Sequence, residues 1–182
     1  MIWAKRTIYA EDWVVYHKGL NGGTNPHQYY LKLNTSDAEV NANQWNAQPT
    51  STHWFTAAGG LNNNADQSYI AMLFASVDGI SKVGSYTGNG NAIGSSPLTI
   101  TTDFQPRFLL IKRVDESSWH WNVFDSLRGI GSGNEPRLKL NQADAQNTGY
   151  EWVEATSTGF KINGSMGGVG ASGGKYIYYA HA

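Results

Sequence analysis

The chain has 182 residues, with 21 glycines, 7 tryptophans, 10 tyrosines and no cysteine. Charged residues make up 15% of it and the formal net charge is −1, so it has no basic excess with which to displace counterions from nucleic acid. The absence of cysteine excludes disulfides, thiol catalysis and cysteine zinc sites. At about 150 residues per domain, the length predicts one or two small domains.

No apolar run approaches the roughly 20 residues that a membrane-spanning helix needs. Met1 is followed by IWAKR rather than by the basic stretch and apolar core of a signal peptide. We therefore expect no membrane insertion and no nucleic-acid partner.

Turn-forming and aromatic residues predict an all-β chain, because Gly and Asn suit tight turns and aromatic residues suit strands. No sustained 3.6-residue periodicity indicates a long helix. In chain order, strands are predicted at 2–8, 13–17, 29–33, 52–57, 68–75, 98–102, 107–114, 119–125, 136–140, 150–154, 158–163 and 175–181. Short helical turns are predicted at 36–44 and 143–149.

The sequence repeats itself at an offset of 107 residues. The LKLN segment at 31–34 recurs at 138–141, and the Lys-Arg pair at 5–6 recurs at 112–113. The matched aromatic residues are Trp45 with Trp152, Tyr69 with Tyr176 and, with a one-residue slip, Trp13 with Trp121. Copy one covers about 2–75 and copy two about 109–182, whereas 76–108 occurs once and leads into copy two.

This repeat predicts two related antiparallel β-sandwich (jelly-roll-like) units, at 1–75 and 76–182. The first unit lacks its opening strands, and an unpaired sheet edge recruits partner strands. Three sources could fill that edge. They are the 76–108 segment, if it serves both halves, a neighbouring subunit, or residues absent from a shortened chain.

The order of motifs in copy two resembles a β-sandwich domain family of phage tail-fibre and other virion structural proteins, notably of marine and cyanobacterial phages. The motifs that carry the resemblance are GSYTG at 84–88, FQPRF at 104–108, IKR at 111–113, LRG at 127–129, LKLN at 138–141, GFK at 159–161 and YIY at 176–178. Copy one departs from this pattern, with His17 and Leu20 near the places of Asp125 and Arg128. The resemblance implies a virion component that contacts a host surface or another virion protein, and it implies no catalytic residues.

Motifs for catalysis or cofactor binding are weak. The G-x-G-x-x-G run at 168–173 is followed by a predicted strand rather than by the helix that binds a pyrophosphate. The 5 histidines lack the HExxH spacing of a zinc enzyme. A glycosidase needs two carboxylates flanking the scissile bond, and the candidates in copy two are Asp115, Glu116, Asp125, Glu151 and Glu154. We expect a non-enzymatic protein with no cofactor and no metal.

Aromatic residues divide into two sets. Those matched between the copies are predicted to lie in the core, where each removes about 150–250 Å² from water. Those without a counterpart are predicted surface candidates, which could stack on sugar rings or lie in a subunit interface. These candidates are Trp3, Tyr9, Tyr30, Trp54, Tyr86 and Trp119.

The sequence thus favours an oligomeric, non-enzymatic structural or adhesion protein of a virion, in a tail fibre or as a receptor-binding protein. Its expected partners are host cell-surface glycans or other virion proteins, which it would bind through weak multivalent contacts. The alternatives are a carbohydrate-binding module, a polysaccharide-cleaving enzyme, and a capsid decoration or filament-forming protein whose next subunit donates the missing strand.

Overall fold

The computed structural model describes residues 1–56, 64–131 and 133–182. Within them the chain forms short strands joined by turns, with two 3-10 turns at Leu20–Gly23 and Pro26–Gln28. The strands are β1 (Ile2–Arg6), β2 (Val14–Tyr16), β3 (Tyr29–Lys32), β4 (Val40–Asn41), β5 (Tyr69–Leu73), β6 (Ser81–Thr87), β7 (Leu98–Thr101), β8 (Phe108–Arg113), β9 (Asn122–Asp125), β10 (Leu138–Lys139), β11 (Val153–Thr156), β12 (Gly159–Ile162) and β13 (Lys175–His181). No helix in this part of the chain has the length and apolarity required to cross a bilayer.

The strands form three antiparallel sheets, so the protein is all-β, as the sequence predicts. The first sheet has the strand order β4-β3-β2-β1-β5, the second β10-β9-β8-β13-β6, and the third β11-β12-β7. All strands of the first sheet precede residue 76, and all strands of the other two follow it.

The second sheet is the middle layer of the stack. Side chains of β8 alternate between its two faces, so Leu109 and Ile111 lie in one hydrophobic cluster with Phe160 of the third sheet. Leu110 faces the other way and lies in a second cluster with Leu31 of the first sheet. Two cores therefore lie on opposite faces of one sheet.

The outer face of the first sheet is covered by a loop. Ile2, Val14 and Tyr16 form a third hydrophobic cluster with Trp45, from the chain that follows β4, and Trp54 packs against it. Within the described residues the first half is thus a single sheet with a covering loop, whereas the sequence repeat predicts a sandwich there.

The first two sheets share the same pairing pattern. Ala4 pairs with Ala71, and Ile111 pairs with Tyr178 at positions 107 residues further along. The pairings of β1 with β2 and of β2 with β3 recur in β8–β9 and β9–β10. The second sheet has an additional strand beyond β13, namely β6, whereas β5 is the last strand of the first sheet.

Four local predictions differ from the structure. The region 36–44 contains β4 instead of a helical turn, because Val40–Asn41 pairs with β3 and the amide of Glu39 donates to the carbonyl of Val114 at 2.8 Å. Residues 143–149 form no helix, and 52–56 form no strand, while the remainder of the predicted 52–57 strand lies outside the described residues. The strand β6 is absent from the predicted set because Ser81 and Gly84 favour turns, and it forms where β13 supplies the pairing.

Candidate functional site: a tryptophan cleft between two sheets

A surface cavity with a volume of about 620 Å³ lies where the first and second sheets meet. We call it the tryptophan cleft, defined by Trp3, Trp13, Leu33, Asn34, Met72, Leu140, Asn141, Gln142 and Ala143. Its size falls in the range of small-ligand sites, which are mostly apolar with a few polar groups that orient the ligand.

Two equivalent corners build the polar rim of the cleft. Asn34 Oδ1 accepts a hydrogen bond from the amide of Trp13 at 2.9 Å, and Asn141 Oδ1 accepts one from the amide of Trp121 at 3.2 Å. Both asparagines follow the LKL segment that ends a strand, so their side chains fasten the neighbouring strand. Gln142 is exposed and adds an amide that can turn toward a ligand.

The charges beside the cleft are held just behind its lining. Asp12 Oδ2 lies 2.8 Å from Lys32 Nζ, and Asn34 Nδ2 donates to Asp12 Oδ1 at 2.6 Å. Hydrogen bonds from Lys32 and Asn34 hold the pKa of Asp12 below its ordinary value, and the same bond to Asp12 raises the pKa of Lys32. No ionisable side chain lines the cleft itself, so the cleft suits an uncharged ligand.

Two half-buried indole rings give the cleft its apolar surface. Trp3 packs against Phe74, with ring centroids 4.7 Å apart, and it contributes to the core between the sheets. Trp13 immediately precedes β2 and is half-buried. The cleft therefore combines one ring that is fixed by core packing with another that is partly free to solvent.

The structure scatters the other predicted surface aromatics. Tyr9 is 56% exposed and lies under the Arg6 guanidinium. Trp54 lines a second cavity on the outer face of the first sheet, and Tyr30 is buried in the third cluster, so Tyr30 presents no surface.

Tyr86 and Trp119 are likewise engaged within the protein. Tyr86 stacks on Tyr176 with centroids 5.0 Å apart, and its hydroxyl donates to the carbonyl of Val169 at 2.8 Å. Trp119 Nε1 donates to Glu116 Oε2 at 3.0 Å. Of the six candidates, only Trp3 lines the tryptophan cleft.

The aromatics matched between the copies do not all lie in the core. Trp45, Trp121, Trp152 and Tyr176 are buried, whereas Trp13 and Tyr69 are half-buried. Sequence reasoning therefore missed Trp13 as a cleft residue. The Asn34 corner alone does not expose it, because the equivalent Asn141 corner holds the buried Trp121.

The carboxylates considered for glycoside hydrolysis are mostly engaged in ion pairs. The pairs are Arg113 with Asp115 and Glu116, Arg128 with Asp125, and Lys161 with Glu154. None of these carboxylates lines the tryptophan cleft. In residues 1–56, 64–131 and 133–182, no group of three or more His, Cys, Asp or Glu side chains is placed to hold a metal ion.

Comparison with known proteins shows the family to which the chain belongs. The model of a family described as "Domain of unknown function (DUF7483)" matches residues 1–182. No curated protein and no solved structure matches the chain. Because the match spans the whole sequence, the chain belongs to the DUF7483 family.

Proposed function

We propose that this protein is a non-enzymatic structural and adhesion module of a virion, and that the tryptophan cleft contacts uncharged sugars of a host cell surface. The observation that carries the proposal is the pair of indole rings, Trp3 and Trp13, in a cleft that no ionisable side chain lines. The virion setting is supported by the motif order of the second half, which resembles tail-fibre domains.

Sugar recognition is supported by the chemistry of the lining. The flat face of Trp13 offers a stacking surface for the C–H face of a sugar ring, and the amide of Gln142 can exchange hydrogen bonds with hydroxyls. A shallow site of this kind binds weakly, with a dissociation constant of about 1 mM. Linking several copies in one particle raises the overall affinity through effective concentration.

The origin of the two halves belongs to the same proposal. We infer an internal duplication with a 107-residue offset, supported by strand pairings that recur at that spacing. The recurrence extends to side chains, since Asn34 and Asn141 bond the amides of Trp13 and Trp121 in the same way. In this view the cleft lies at the junction between two copies of one ancestral unit.

A structural role without glycan binding is the second candidate. The apolar lining of the cleft would equally suit an apolar side chain of a neighbouring virion protein, because interfaces are enriched in aromatic residues. This candidate predicts that sugars leave the cleft empty.

Isothermal titration against a panel of neutral glycans tests the proposal. We expect binding by the wild type and a loss of at least about tenfold, or about 1.4 kcal/mol, for Trp13→Ala. Trp119→Ala is the matched control, because that ring is also half-buried but lies outside the cleft, and it should bind like the wild type. If the wild type binds none of the glycans, the sugar assignment is refuted in favour of the structural role. If Trp13→Ala and the wild type bind with equal affinity, the tryptophan cleft is refuted as the sugar-binding site.

A further inference from the structure

The strand β5 has an open edge. Backbone hydrogen bonds tie Phe74 to Met1 at 2.9 Å and Ser68 to Thr7 at 3.0 Å, so the even-numbered residues of this strand direct their peptide groups toward β1. Alternation along an antiparallel strand then directs the N–H and C=O groups of Tyr69, Ala71 and Leu73 away from β1. In the described residues no other strand pairs with β5.

The second sheet shows what covers an edge of this geometry. There β6 pairs antiparallel with β13 along seven residues. Ala180 of β13 occupies the place of Leu73 in the shared pairing pattern, and it is fully buried, whereas Leu73 is 64% exposed. Within the described residues, the first sheet thus leaves unpaired the edge that the second sheet pairs with a strand.

Among the edge strands in the described residues that are longer than two residues, only β5 and β7 carry no charged residue. The strand β7 has four residues and exposes Thr99 and Thr101, whereas β5 has five residues and exposes apolar side chains. Proteins guard such edges with charged side chains or with very short strands. Edge strands β6, β10 and β11 carry Lys82, Lys139 and Glu154, and β4 has two residues. By contrast, β5 has the sequence YIAML, without a charge, and Ile70 and Met72 are 45% and 42% exposed.

We propose that β5 pairs antiparallel with β5 of a second copy of this chain, and so joins the two first sheets into one continuous sheet. The strand is self-complementary, because a twofold axis through Ala71 sets Ala71 opposite its counterpart and Tyr69 opposite Leu73 of the other copy. All three residues direct their peptide groups outward, so the Ala71–Ala71 pair and the two Tyr69–Leu73 pairs are hydrogen-bonded pairs. The Ile70–Met72 pairs between them are non-hydrogen-bonded pairs.

The same pairing covers apolar side chains on both faces of β5. Ile70 and Met72 of the two copies become cross-strand neighbours on the face toward the second sheet. On the other face, Leu73 lines a cavity of about 290 Å³ with Ile2 and Trp54, and Tyr69 of the second copy lies beside Leu73. The proposal goes beyond sugar binding and does not depend on it.

Sedimentation velocity over a concentration series tests this dimer. A single five-residue edge buries less surface than a standard interface, so we expect a dissociation constant of about 10–100 µM. Ile70→Lys places a charge at the edge, and Ala71→Pro removes an outward N–H without breaking a bond to β1. Both variants should be monomeric. Ala71→Pro should keep the wild-type thermal midpoint, whereas Ile70→Lys should lower it slightly, because residue 70 lies opposite Lys5 on β1.

The matched control is Thr99→Lys, which places the same charge on the exposed edge strand β7 and should leave the dimer intact. In the wild type, the amides of Tyr69, Ala71 and Leu73 should gain protection from hydrogen exchange as concentration rises. A chain that stays monomeric to about 1 mM, a dimer that survives both β5 variants, or outward amides that exchange freely in the dimer would overturn the proposal. Met72 belongs both to β5 and to the tryptophan cleft, whereas Ile70 does not line the cleft. Glycan titration of the monomeric Ile70→Lys variant therefore keeps the two proposals apart, because it measures sugar binding by a cleft whose own residues are unchanged.

Discussion

Replacing Lys112 by methionine should change how stability depends on pH. Lys112 is fully buried on the face of β8 that meets the first sheet, and its Nζ donates to the carbonyl of Arg113 at 2.7 Å. Burial lowers the pKa of Lys112 from 10.5 to about 8, and the attraction of Asp37 and Asp115 only partly offsets this effect.

The sign of the effect follows from proton counting. Between pH 8 and 10.5 the unfolded chain holds the Lys112 proton and the folded chain does not, so stability rises with pH across this window. At roughly 1.4 kcal/mol per pKa unit, the free energy of unfolding gains about 3 kcal/mol. The gain is fully present above the pKa that Lys112 has in the unfolded chain, and it is absent below the pKa that Lys112 has in the folded chain. Lys112→Met has no proton to release and lacks this gain.

Urea unfolding followed by tryptophan fluorescence from pH 7 to 10.5 measures the difference. The wild-type free energy of unfolding, minus that of Lys112→Met, should increase by about 3 kcal/mol over the range. Tyrosines that titrate near the upper end are common to both proteins and cancel. Lys18→Met, at an exposed lysine, should run parallel to the wild type. If the Lys112→Met curve is parallel as well, Lys112 is solvated in the folded chain and the reasoning fails.

Three further substitutions test other parts of the fold. Burial lowers the pKa of His17 to about 3, so the free energy of unfolding should fall as pH drops from 6.5 toward 3. In urea titrations, His17→Gln should lose less of this free energy on acidification than the wild type. An equally steep loss in the variant would contradict a buried neutral imidazole. Trp45→Ala leaves a cavity in the outer core of the first sheet and should lower the free energy of unfolding, measured with urea, by about 3–5 kcal/mol. A loss below about 1 kcal/mol would mean that the covering loop is not packed against the sheet. Gly159→Ala would drive a Cβ into the carbonyl of Ile100 on the paired strand, and we expect a loss of about 2 kcal/mol or more. Gly131→Ala has open space around its Cβ and should melt like the wild type, so equal melting of both glycine variants would refute the close approach.

Local pattern predicts most of the strands because alternation of apolar residues is a property of the sequence itself. The β12 segment GFKI shows this alternation at Phe160, Lys161 and Ile162. The β8 segment FLLIKR shows a different pattern, a short continuous apolar run that is typical of a strand buried on both faces, and it is found as a strand at Phe108–Arg113. The strand β6, SKVGSYT, lacks such a pattern, and its pairing with β13 overrides the weak strand preference of Ser81 and Gly84. Strand formation there is a tertiary effect that a local window cannot reveal.

The candidate site was harder to predict than the fold. Trp3 could be picked out because it lacks a counterpart, but Trp13 was assigned to the core because it matches Trp121. The two differ because Trp121 is covered by the first sheet, where its Nε1 donates to the carbonyl of Lys32 at 3.0 Å. Trp13 instead lines the cleft between the two sheets and remains half-buried.

The sequence by itself determined that this protein is a β protein with a recurring pattern of strands, because turn residues, alternation and the 107-residue spacing are written along the chain. Only the tertiary structure decided which faces are covered. Lys5 and Lys112 occupy equivalent strand positions, yet Lys112 is buried and Lys5 is half-buried, since burial depends on what packs over a residue. The tryptophan cleft and the open edge of β5 likewise exist because the two similar sheets have different neighbours.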